Sequence, residues 1–424
     1  MRAAVRRTEI FLKKLRNRMR AHVKTRECPL VFPASCDYNT DTMNAKRMAQ
    51  LHPYVPGEQP SDKAYIKLNA NENPYPPSPH VISALIDFIK NHPEKLALYP
   101  DPDARRLREA IAAMLNRTGG VLARTVPEGE HCRPSEADMI PFTVTPDMIY
   151  TGNGSDEVLS FVFYAFFDSD AKLVTPEFSY SFYPVYGGFY DIPLDFVKLK
   201  SDWTLDTRTM IEREKINDSG IIFANPNAPT GRSLLRNEVR AMLEETNPER
   251  VFVVDEAYVD FGGESCIPLL ADFPNLVVVR TFSKSFCGAG MRLGYIVASP
   301  ELVQAVTTVK NSLNHFPIDA ASQIAGIAAC ENDAYYAECA KKIADEREKF
   351  SAFLVAHGWD CIPSVTNFVF ARKAGLSGKD AYRRIKERGI LVRRFATKGI
   401  EDFLRMTIGT PDQMCALCDV IETL

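Results

Sequence analysis

The sequence predicts an α/β protein with a mainly parallel sheet flanked by helices, followed by a smaller α+β domain. Short apolar runs rich in β-branched or aromatic residues lie at 172–175, 220–224, 251–254 and 276–279. Such runs are typical of strands that are buried on both faces of a parallel sheet. Helical patterns, for example at 234–246, separate them, and this alternation of strand and helix indicates a doubly wound domain.

The elements on either side of this alternation differ from it. Residues 27–60 are irregular and hold five prolines, and residues 118–147 predict a long surface loop before a strand at 148–150. After Pro317 the sequence predicts, in order, a helix at 334–357, a strand at 367–371, a helix at 378–388, a strand at 391–395 and a closing helix at 412–424. We therefore expect a basic flexible extension at 1–45, an N-terminal arm with part of the small domain at 46–95, a large domain at 96–316 and a small domain at 317–424.

The formal net charge of −3 conceals an asymmetry between the head of the chain and its body. Residues 1–26 hold ten Lys or Arg and one acid, which leaves 41 basic and 53 acidic residues, a net charge of −12, in 27–424. A nucleic-acid arm, a membrane-surface helix, a targeting peptide and an unstructured extension are the open interpretations. The head lacks the apolar core of a secretory signal, and the acidic body disfavours nucleic acid as a partner. We expect an appended extension, or a true start at Met43.

Neither a membrane span nor a metal site is expected. The longest wholly apolar run, at 161–167, is far shorter than the roughly 20 residues that cross a bilayer. The ten cysteines include one close pair, Cys415 and Cys418, without the second pair or the nearby histidines that a zinc site needs. The seven histidines form no metal-ligand pair. We therefore expect a cytoplasmic protein with buried thiols.

Three consecutive predicted strands end in polar residues about one βαβ unit apart. The first is followed by Asn225 and Asn227, the second by Asp255 and Tyr258, and the third by Ser283 and Lys284. In open α/β sheets, ligands bind outside the carboxyl ends of the strands. We therefore expect these side chains to converge on one site.

The acid and the lysine of this set match the needs of pyridoxal phosphate (PLP). By itself, Asp255 could be a helix cap, Lys284 a solvated loop residue and the Gly152–Gly154 segment a plain turn. Together they offer an acid for the pyridine nitrogen, a lysine for the aldehyde and a glycine-rich helix start for the phosphate. Ser155 follows this glycine-rich segment, and its hydroxyl could also bind the phosphate.

The ordered motifs resemble those of fold-type I PLP-dependent aminotransferases of class I and II. Within that group they most resemble the histidinol-phosphate aminotransferase family, and the matched segments run from Pro53 to about Thr410. The motifs are Pro53-Tyr-Val-Pro-Gly, Leu68-Asn-Ala-Asn-Glu-Asn-Pro-Tyr75, Tyr99-Pro-Asp-Pro, Gly152-Asn-Gly-Ser-Asp-Glu157, Asp255-Glu-Ala-Tyr258, Thr281-Phe-Ser-Lys-Ser-Phe286, Gly290-Met-Arg292-Leu-Gly and Leu404-Arg405-Met-Thr-Ile-Gly.

The resemblance implies a role for each matching residue around the cofactor. Lys284 would be the Schiff-base lysine and the acid/base at the substrate Cα, Asp255 would pair with the pyridine nitrogen, and Tyr258 with the ring hydroxyl. Tyr180 would stack on the ring, and Tyr99 would reach the cofactor phosphate of the other subunit, which implies a homodimer. The phosphate would be held by Gly154, Ser155, Asp156, Thr281, Ser283 and Arg292.

The resemblance also implies the substrate contacts and the reaction. Arg405 would clamp the carboxylate of the amino or keto acid, a task suited to its planar fork. Arg393 would face the substrate phosphate, with Asn71, Glu72 and Asn73 nearby. The implied activity is the PLP-dependent transamination of L-histidinol phosphate with 2-oxoglutarate in histidine biosynthesis. The implied partners are thus a small amino donor and a keto acid.

One position departs from the pattern of the group. An asparagine that bonds to the ring hydroxyl usually stands directly before Pro-Thr-Gly, and here that position is Ala228, preceded by Asn227. Either Asn227 takes over after a local shift or Tyr258 serves alone.

Three further functions, from two classes, remain open from the sequence. Because one fold supports several reactions, an aromatic amino-acid aminotransferase or a threonine-phosphate decarboxylase is an alternative enzyme. A regulator that uses the body as a ligand sensor and the basic head as a DNA arm is an alternative from another class.

Overall fold

The computed structural model describes residues 45, 47–48, 51–54, 56–122 and 139–424. The chain divides into two units, Met1–Gln50 and Leu51–Leu424. Nearly all of the first unit, including the predicted basic extension and Met43, lies outside the described residues. The same holds for 123–138 of the predicted surface loop. The division of the body into arm, large domain and small domain stays a prediction.

The strands of the described residues form three sheets. They are β1 (Ile66–Lys67), β2 (Ile149–Asn153), β3 (Leu173–Pro176), β4 (Leu194–Val197), β5 (Ile221–Ala224), β6 (Phe252–Asp255), β7 (Leu276–Thr281), β8 (Leu293–Val297), β9 (Trp359–Ile362), β10 (Phe368–Lys373), β11 (Ile390–Leu391), β12 (Arg393–Arg394) and β13 (Leu404–Thr407). The largest sheet has seven strands in the order β2-β8-β7-β6-β5-β3-β4. Strand β8 is antiparallel to both of its neighbours, and the other neighbouring pairs of this sheet are parallel.

The described residues also form helices, which alternate with many of these strands along the chain. They are α1 (Pro79–Asn91), α2 (Arg105–Thr118), α3 (Gly154–Phe166), α4 (Tyr183–Phe189), α5 (Thr207–Asn217), α6 (Arg236–Glu245), α7 (Pro300–Leu313), α8 (Ala320–Glu331), α9 (Asp333–Ala356), α10 (Gly378–Glu387) and α11 (Pro411–Ile421), with 3-10 turns at Pro93–Ala97, Pro146–Met148, Val259–Phe261, Ile267–Ala271 and Ala289–Met291. Among the described residues, none of these helices has the length and apolarity to cross a membrane.

The four predicted core strands are confirmed as β3, β5, β6 and β7. Every residue of these strands is buried, as two-sided coverage by helices requires. The strand predicted at 148–150 is β2, which lies at one edge of the sheet and pairs with β8. The predicted helices at 234–246 and 334–357 are confirmed as α6 and α9.

The second sheet contains β12-β13-β10-β9 and is antiparallel, while β11 pairs in parallel with β1. The single strand predicted at 391–395 is therefore wrong, because the chain divides there into β11 and β12. Val392 between them is buried, so the apolar pattern runs on although the strand partner changes. Buried apolar residues of α9, such as Ile343, Phe350 and Leu354, pack against this part of the structure.

A buried charge network joins strand β7 to the loop that follows strand β6. Arg280 on β7 is 3% exposed, and its guanidinium lies 3.0 Å from Glu256 and 2.9 Å from Asp260. It also donates to the carbonyl oxygen of Gly120, while the Ser285 hydroxyl donates to Asp260 at 2.6 Å. Removing one partner of such a network typically costs about 3–5 kcal/mol, because the remaining charge is buried alone. The network therefore fixes the residues next to Lys284.

Candidate active site

Two adjoining cavities lie at the carboxyl ends of β5, β6 and β7. One, of about 280 Å³, is lined by Asp255, Ser155, Ser283 and Glu72, and we call it the Asp255 cavity. The other, of about 400 Å³, is lined by Arg405 among others, and we call it the Arg405 cavity. Both are lined by Ala70, Asp156, Tyr180, Ala228, Tyr258, Lys284 and Arg292. The structure therefore brings together most of the residues that the sequence assigned to one site.

Asp255 is a buried carboxylate for which the described residues provide no cation. It ends β6, is 4% exposed, and accepts hydrogen bonds from the Tyr183 hydroxyl at 3.0 Å and the Ala257 amide at 3.1 Å. Burial raises its pKa to about 6, although both hydrogen bonds act in the opposite direction. A cationic ligand in the adjoining cavity would remove this cost.

Lys284 lies in a loop that Asn73 and Asp260 hold in place. Its carbonyl oxygen accepts a hydrogen bond from the Asn73 side chain at 2.9 Å, and Ser285 is bound to Asp260. The Lys284 amine lines both cavities, 3.5 Å from the carbonyl oxygen of Ala70 and 5.6 Å from the centre of the Tyr258 ring. The amine is thus directed to the site while its backbone is anchored.

Ala228 occupies the position where the family pattern has an asparagine. Ala228 lines both cavities, so no amide faces the site there. The Asn227 side chain instead donates to the Phe178 carbonyl oxygen at 2.9 Å and to Thr230 at 3.0 Å, and accepts from Ser179 at 2.9 Å. The structure therefore uses Asn227 to hold its own loop and does not bring it to either cavity.

The glycine-rich segment forms an anion cradle at the start of α3. Strand β2 ends at Asn153 and α3 begins at Gly154, so the free N–H groups of its first turn are close to the site. Gly154 has φ +82°, and a Cβ there would collide with the Arg292 guanidinium. A Cβ at Gly294 on β8 would collide with the backbone of Ser155. These glycines allow a helix start, a strand and an arginine to approach one another closely.

Asp156 organises the side chains around this cradle. Its carboxylate accepts a hydrogen bond from the Tyr180 hydroxyl at 2.5 Å and lies 3.4 Å from Arg292. Because this carboxylate is negative, only its backbone N–H could favour a phosphate. Thr281 is buried, and its hydroxyl oxygen accepts a hydrogen bond from the Ser283 amide at 3.1 Å, so Thr281 shapes the loop and Ser283 lines the cavity.

Two arginines face each other across neighbouring strands in the Arg405 cavity. Arg393 on β12 and Arg405 on β13 are direct antiparallel partners, and both guanidinium groups pack near the Phe395 ring, at 5.8 and 5.7 Å. Burial, and the neighbouring charge of Arg393, lower the pKa of Arg405. The buried Nε of Arg405 has no hydrogen-bond partner among the described residues. Like charges opposite each other are unfavourable, so this pair favours an anionic ligand.

Some of the remaining predicted site residues line a cavity and others do not. Asn71 lines the Arg405 cavity, and its side chain donates to the Tyr258 hydroxyl at 2.8 Å. Glu72 lines the Asp255 cavity and pairs with Lys67 at 2.8 Å. Asn73 holds the lysine loop, as described above. Tyr99 is 83% exposed, stacks on Phe316 at 4.6 Å and lines neither cavity.

The structure adds residues that the sequence did not identify. Tyr183 binds Asp255 from the start of α4, and no motif spacing relates these two positions. Gln59, in the irregular segment, and Phe395, at the end of the strand predicted at 391–395, also line the Arg405 cavity. Tyr54, Pro56 and Gly57 line it too, and they lie within the N-terminal motif, a signal that could have placed them there. Among the described residues, no group of three or more His, Cys, Asp or Glu could hold a metal ion.

The arrangement suits a flat ligand that carries both a cationic ring atom and an anionic group. Asp255 would neutralise the cation, the α3 start with Arg292 would hold the anion, and Lys284 supplies an amine between them. The facing arginines would bind further anions, such as those of a substrate. The donor set thus fits PLP together with an anionic amino compound.

Comparison with known proteins supports this assignment. The family model for aminotransferase class I and II matches residues 63–421. The histidinol-phosphate aminotransferase of Syntrophus aciditrophicus is 45% identical, with 91% of this chain and 98% of that protein covered. The one from Chromohalobacter salexigens is 44% identical, with 88% and 97% covered.

Solved structures share the fold. The histidinol-phosphate aminotransferase from Sinorhizobium meliloti, in complex with pyridoxal-5'-phosphate, aligns with a TM-score of 0.74 at 24% identity, over 89% of this chain and 98% of that one. The L-threonine-O-3-phosphate decarboxylase from Porphyromonas gingivalis aligns with a TM-score of 0.67 at 22% identity, over 84% and 98%. The predicted fold-type I architecture is confirmed. The family match and the full-length relatives show that this chain belongs to the class I and II aminotransferase family.

Proposed function

We propose that this protein is a PLP-dependent aminotransferase that acts on L-histidinol phosphate and 2-oxoglutarate, giving imidazole-acetol phosphate and L-glutamate. The observation that carries the proposal is the meeting of Asp255, Lys284 and the facing pair Arg393 and Arg405 in adjoining cavities. Relatives that bear the name histidinol-phosphate aminotransferase, at 40–45% identity, support the choice of substrate.

The residues that would hold PLP are those that line the Asp255 cavity. Asp255 would bind the pyridine nitrogen as a cation, and Tyr258 would bind the ring oxygen. The phosphate would lie at the start of α3, at Gly154, Ser155 and the Asp156 backbone. Ser283 and Arg292 would also bind it. Thr281 would support this group by accepting the hydrogen bond of the Ser283 amide. Tyr180, held by Asp156, would lie against the ring.

Once bound, PLP supplies an electron sink for the bond broken at the substrate Cα. Within this site, the Lys284 amine takes the proton from the substrate Cα and later returns a proton to complete the transfer. Asp255 would stay negatively charged next to the ring nitrogen, because the cation on that nitrogen offsets the cost of burying the carboxylate charge. Tyr258 and Tyr180 restrict the orientation of the ring.

The two arginines divide the anionic groups of the substrates. Arg405, whose buried Nε has no hydrogen-bond partner in the described part of the chain, would bind the carboxylate of glutamate or 2-oxoglutarate in a bidentate manner. Arg393, on the facing strand, would receive the phosphate of histidinol phosphate. A site with two close cations suits substrates with either a phosphate or two carboxylates.

A homodimer is the proposed assembly. Helix α1 turns Ile82, Ile86 and Ile89, at 45%, 47% and 55% exposure, to one side at spacings of four and three residues. Leu96 and Leu98 follow with similar exposure, and Tyr99 comes directly after them. Exposed apolar residues grouped in this way along the chain are typical of a protein interface, and a second copy on this segment would bring Tyr99 to a subunit boundary.

A cytoplasmic location is proposed from the state of the thiols. The described cysteines, 266, 287, 330, 339, 361, 415 and 418, are all free. Burial raises the pKa of the Cys361 and Cys418 thiols to about 11, which suppresses their reactive thiolate form. Disulfides belong to oxidising compartments, so free thiols of this kind suit a reducing one.

The function is tested by turnover of the PLP-loaded protein. We expect L-histidinol phosphate and 2-oxoglutarate to give glutamate, with no carbon dioxide from phosphothreonine. Both product measurements can be made on one preparation. Carbon dioxide from phosphothreonine would instead indicate the decarboxylase, and a better rate with aromatic amino acids would indicate an aromatic aminotransferase.

A matched pair of variants ties this turnover to the arginine site. Arg405→Lys removes the fork, so kcat/KM for 2-oxoglutarate should fall about 10- to 100-fold, the loss of a charged hydrogen bond, while PLP stays bound. Arg372→Lys on β10 is the control, because Arg372 is exposed and pairs with Asp360. Equal kcat/KM values for both variants would contradict the role of Arg405 in binding the carboxylate of 2-oxoglutarate.

The pKa of Asp255 predicts a pH-dependent stability of the PLP-free protein. Because its folded pKa, about 6, exceeds the unfolded value of 3.8, the charged form destabilises the fold. This penalty is present above pH 6 and disappears as the pH falls through 6 towards 4. Asp255→Asn should therefore raise the thermal midpoint relative to wild type at pH 8 and lose that advantage at pH 4. The gain is at most about 3 kcal/mol.

The control for this prediction is Asp272→Asn, which changes an exposed carboxylate. Its midpoint relative to wild type should stay flat over the same pH range. A pH-independent effect of Asp255→Asn would contradict the burial of a charge at this position.

The proposed dimer is tested by the mass in solution. Light scattering should give twice the 47.5 kDa of one chain, and Ile86→Glu should lower that mass because it places a charge in the apolar face. Val355→Glu, at an apolar residue exposed on α9, should leave the mass unchanged. A wild-type monomer with full activity would contradict the proposal.

A further inference from the structure

The site lacks one of the two groups that the family pattern places at the ring oxygen. Ala228 occupies the asparagine position, and the Asn227 amide is bound to Phe178 and Thr230. The Tyr258 hydroxyl is therefore the remaining group at this side of the site. A hydroxyl can rotate about its C–O bond, so whether Tyr258 donates to the ring oxygen depends on the direction of its proton.

Asn71 fixes the direction of that proton. It is 1% exposed and has φ +54°, a left-handed conformation that asparagine adopts more readily than most residues. Its backbone N–H donates to Thr407 Oγ1 at 3.0 Å, and its backbone oxygen accepts from Asn367 at 2.9 Å. The backbone is thus held from both sides.

The side chain of Asn71 is fully used as well. Thr407 Oγ1 already accepts from the Asn71 backbone, and its own proton has Asn71 Oδ1 within reach at 3.2 Å. The amide Nδ2 is then left to donate to the Tyr258 hydroxyl oxygen at 2.8 Å. Because that oxygen accepts, the Tyr258 proton must point elsewhere. No other hydrogen-bond partner of this hydroxyl is found in the part of the chain that the structure describes, and Tyr258 lines both cavities.

We infer that Asn71 is a positioning residue that makes Tyr258 a donor to the cofactor ring oxygen, in place of the amide absent at Ala228. The inference depends on the proposed function, since it concerns how this site treats bound PLP. It also changes the expected role of Asn71, whose amide is committed to Tyr258 and Thr407 and not to the substrate.

Two variants separate the amide from the backbone. Asn71→Gly keeps the positive φ and removes the amide, which frees the Tyr258 hydroxyl to rotate. Asn71→Asp also tolerates this φ and can still accept from Thr407, but it replaces the donor with a carboxylate that would attract the Tyr258 proton. The aspartate variant should therefore have the larger effect.

The readout is the pH midpoint of the visible absorption change of the PLP-loaded protein without substrate, together with the dissociation constant of PLP. A donated hydrogen bond favours the form in which the ring oxygen is more negative, so its loss raises the midpoint. Tyr258→Phe and Asn71→Asp should each raise it by about one pH unit, the size of a hydrogen bond to a charged group. Asn71→Gly should raise it by less, and each variant should weaken PLP binding.

The deciding step is the double-mutant cycle. In the Tyr258→Phe background, the uncharged variant Asn71→Gly should move the midpoint no further, because Asn71 acts through the missing hydroxyl. An additive shift would overturn the inference, as would a wild-type midpoint in Tyr258→Phe or in both Asn71 variants. A wild-type protein that forms no visible band with PLP would overturn the proposed function itself, so the two failures are distinguishable.

Discussion

The Asp255 carboxylate, buried at the end of β6 with no paired cation among the described residues, is the constraint on which the rest of the site depends. Its pKa is raised to about 6 because the surroundings desolvate it, and two hydrogen bonds from Tyr183 and Ala257 only reduce that cost. A stable fold can keep such a group when a ligand compensates it. The cavity at this carboxylate, with Lys284 on one side and an anion cradle on another, provides the place for that ligand.

The structure around this carboxylate is built to keep the reacting groups in fixed positions. The network of Arg280, Glu256 and Asp260 holds the lysine loop through Ser285, and Asn73 holds the lysine carbonyl oxygen. Glycines allow α3 and Arg292 to approach closely. By contrast, the facing arginines of β12 and β13 are left with unfavourable like charges, and an anionic substrate would relieve them. Rigid support around Lys284 and two facing cations in the adjoining cavity together suit the binding of an anionic substrate.

The parallel sheet was predictable because burial on both faces leaves continuous apolar runs, and the carboxyl ends of such strands must meet. The sequence therefore predicts that Asp255 and Lys284 lie together. The division of 391–395 into β11 and β12 was not predictable, because the choice of partner strand depends on tertiary packing. Nothing in the sequence relates Tyr183 to Asp255 or Asn71 to Tyr258, since these contacts join segments far apart in the chain. The direction of the Asn227 amide depends on the loop around it, which residue type alone does not define.

In the proposed function, Asp255 keeps the ring nitrogen of bound PLP protonated. The most direct measurement is the ¹⁵N chemical shift of PLP labelled at the ring nitrogen, bound to wild type and to Asp255→Asn, at pH 8. We expect a protonated nitrogen in wild type and an unprotonated one in the variant, because the carboxylate stabilises the cation and the amide does not. An unprotonated nitrogen in the wild-type protein, or the same protonated state in both proteins, would contradict it.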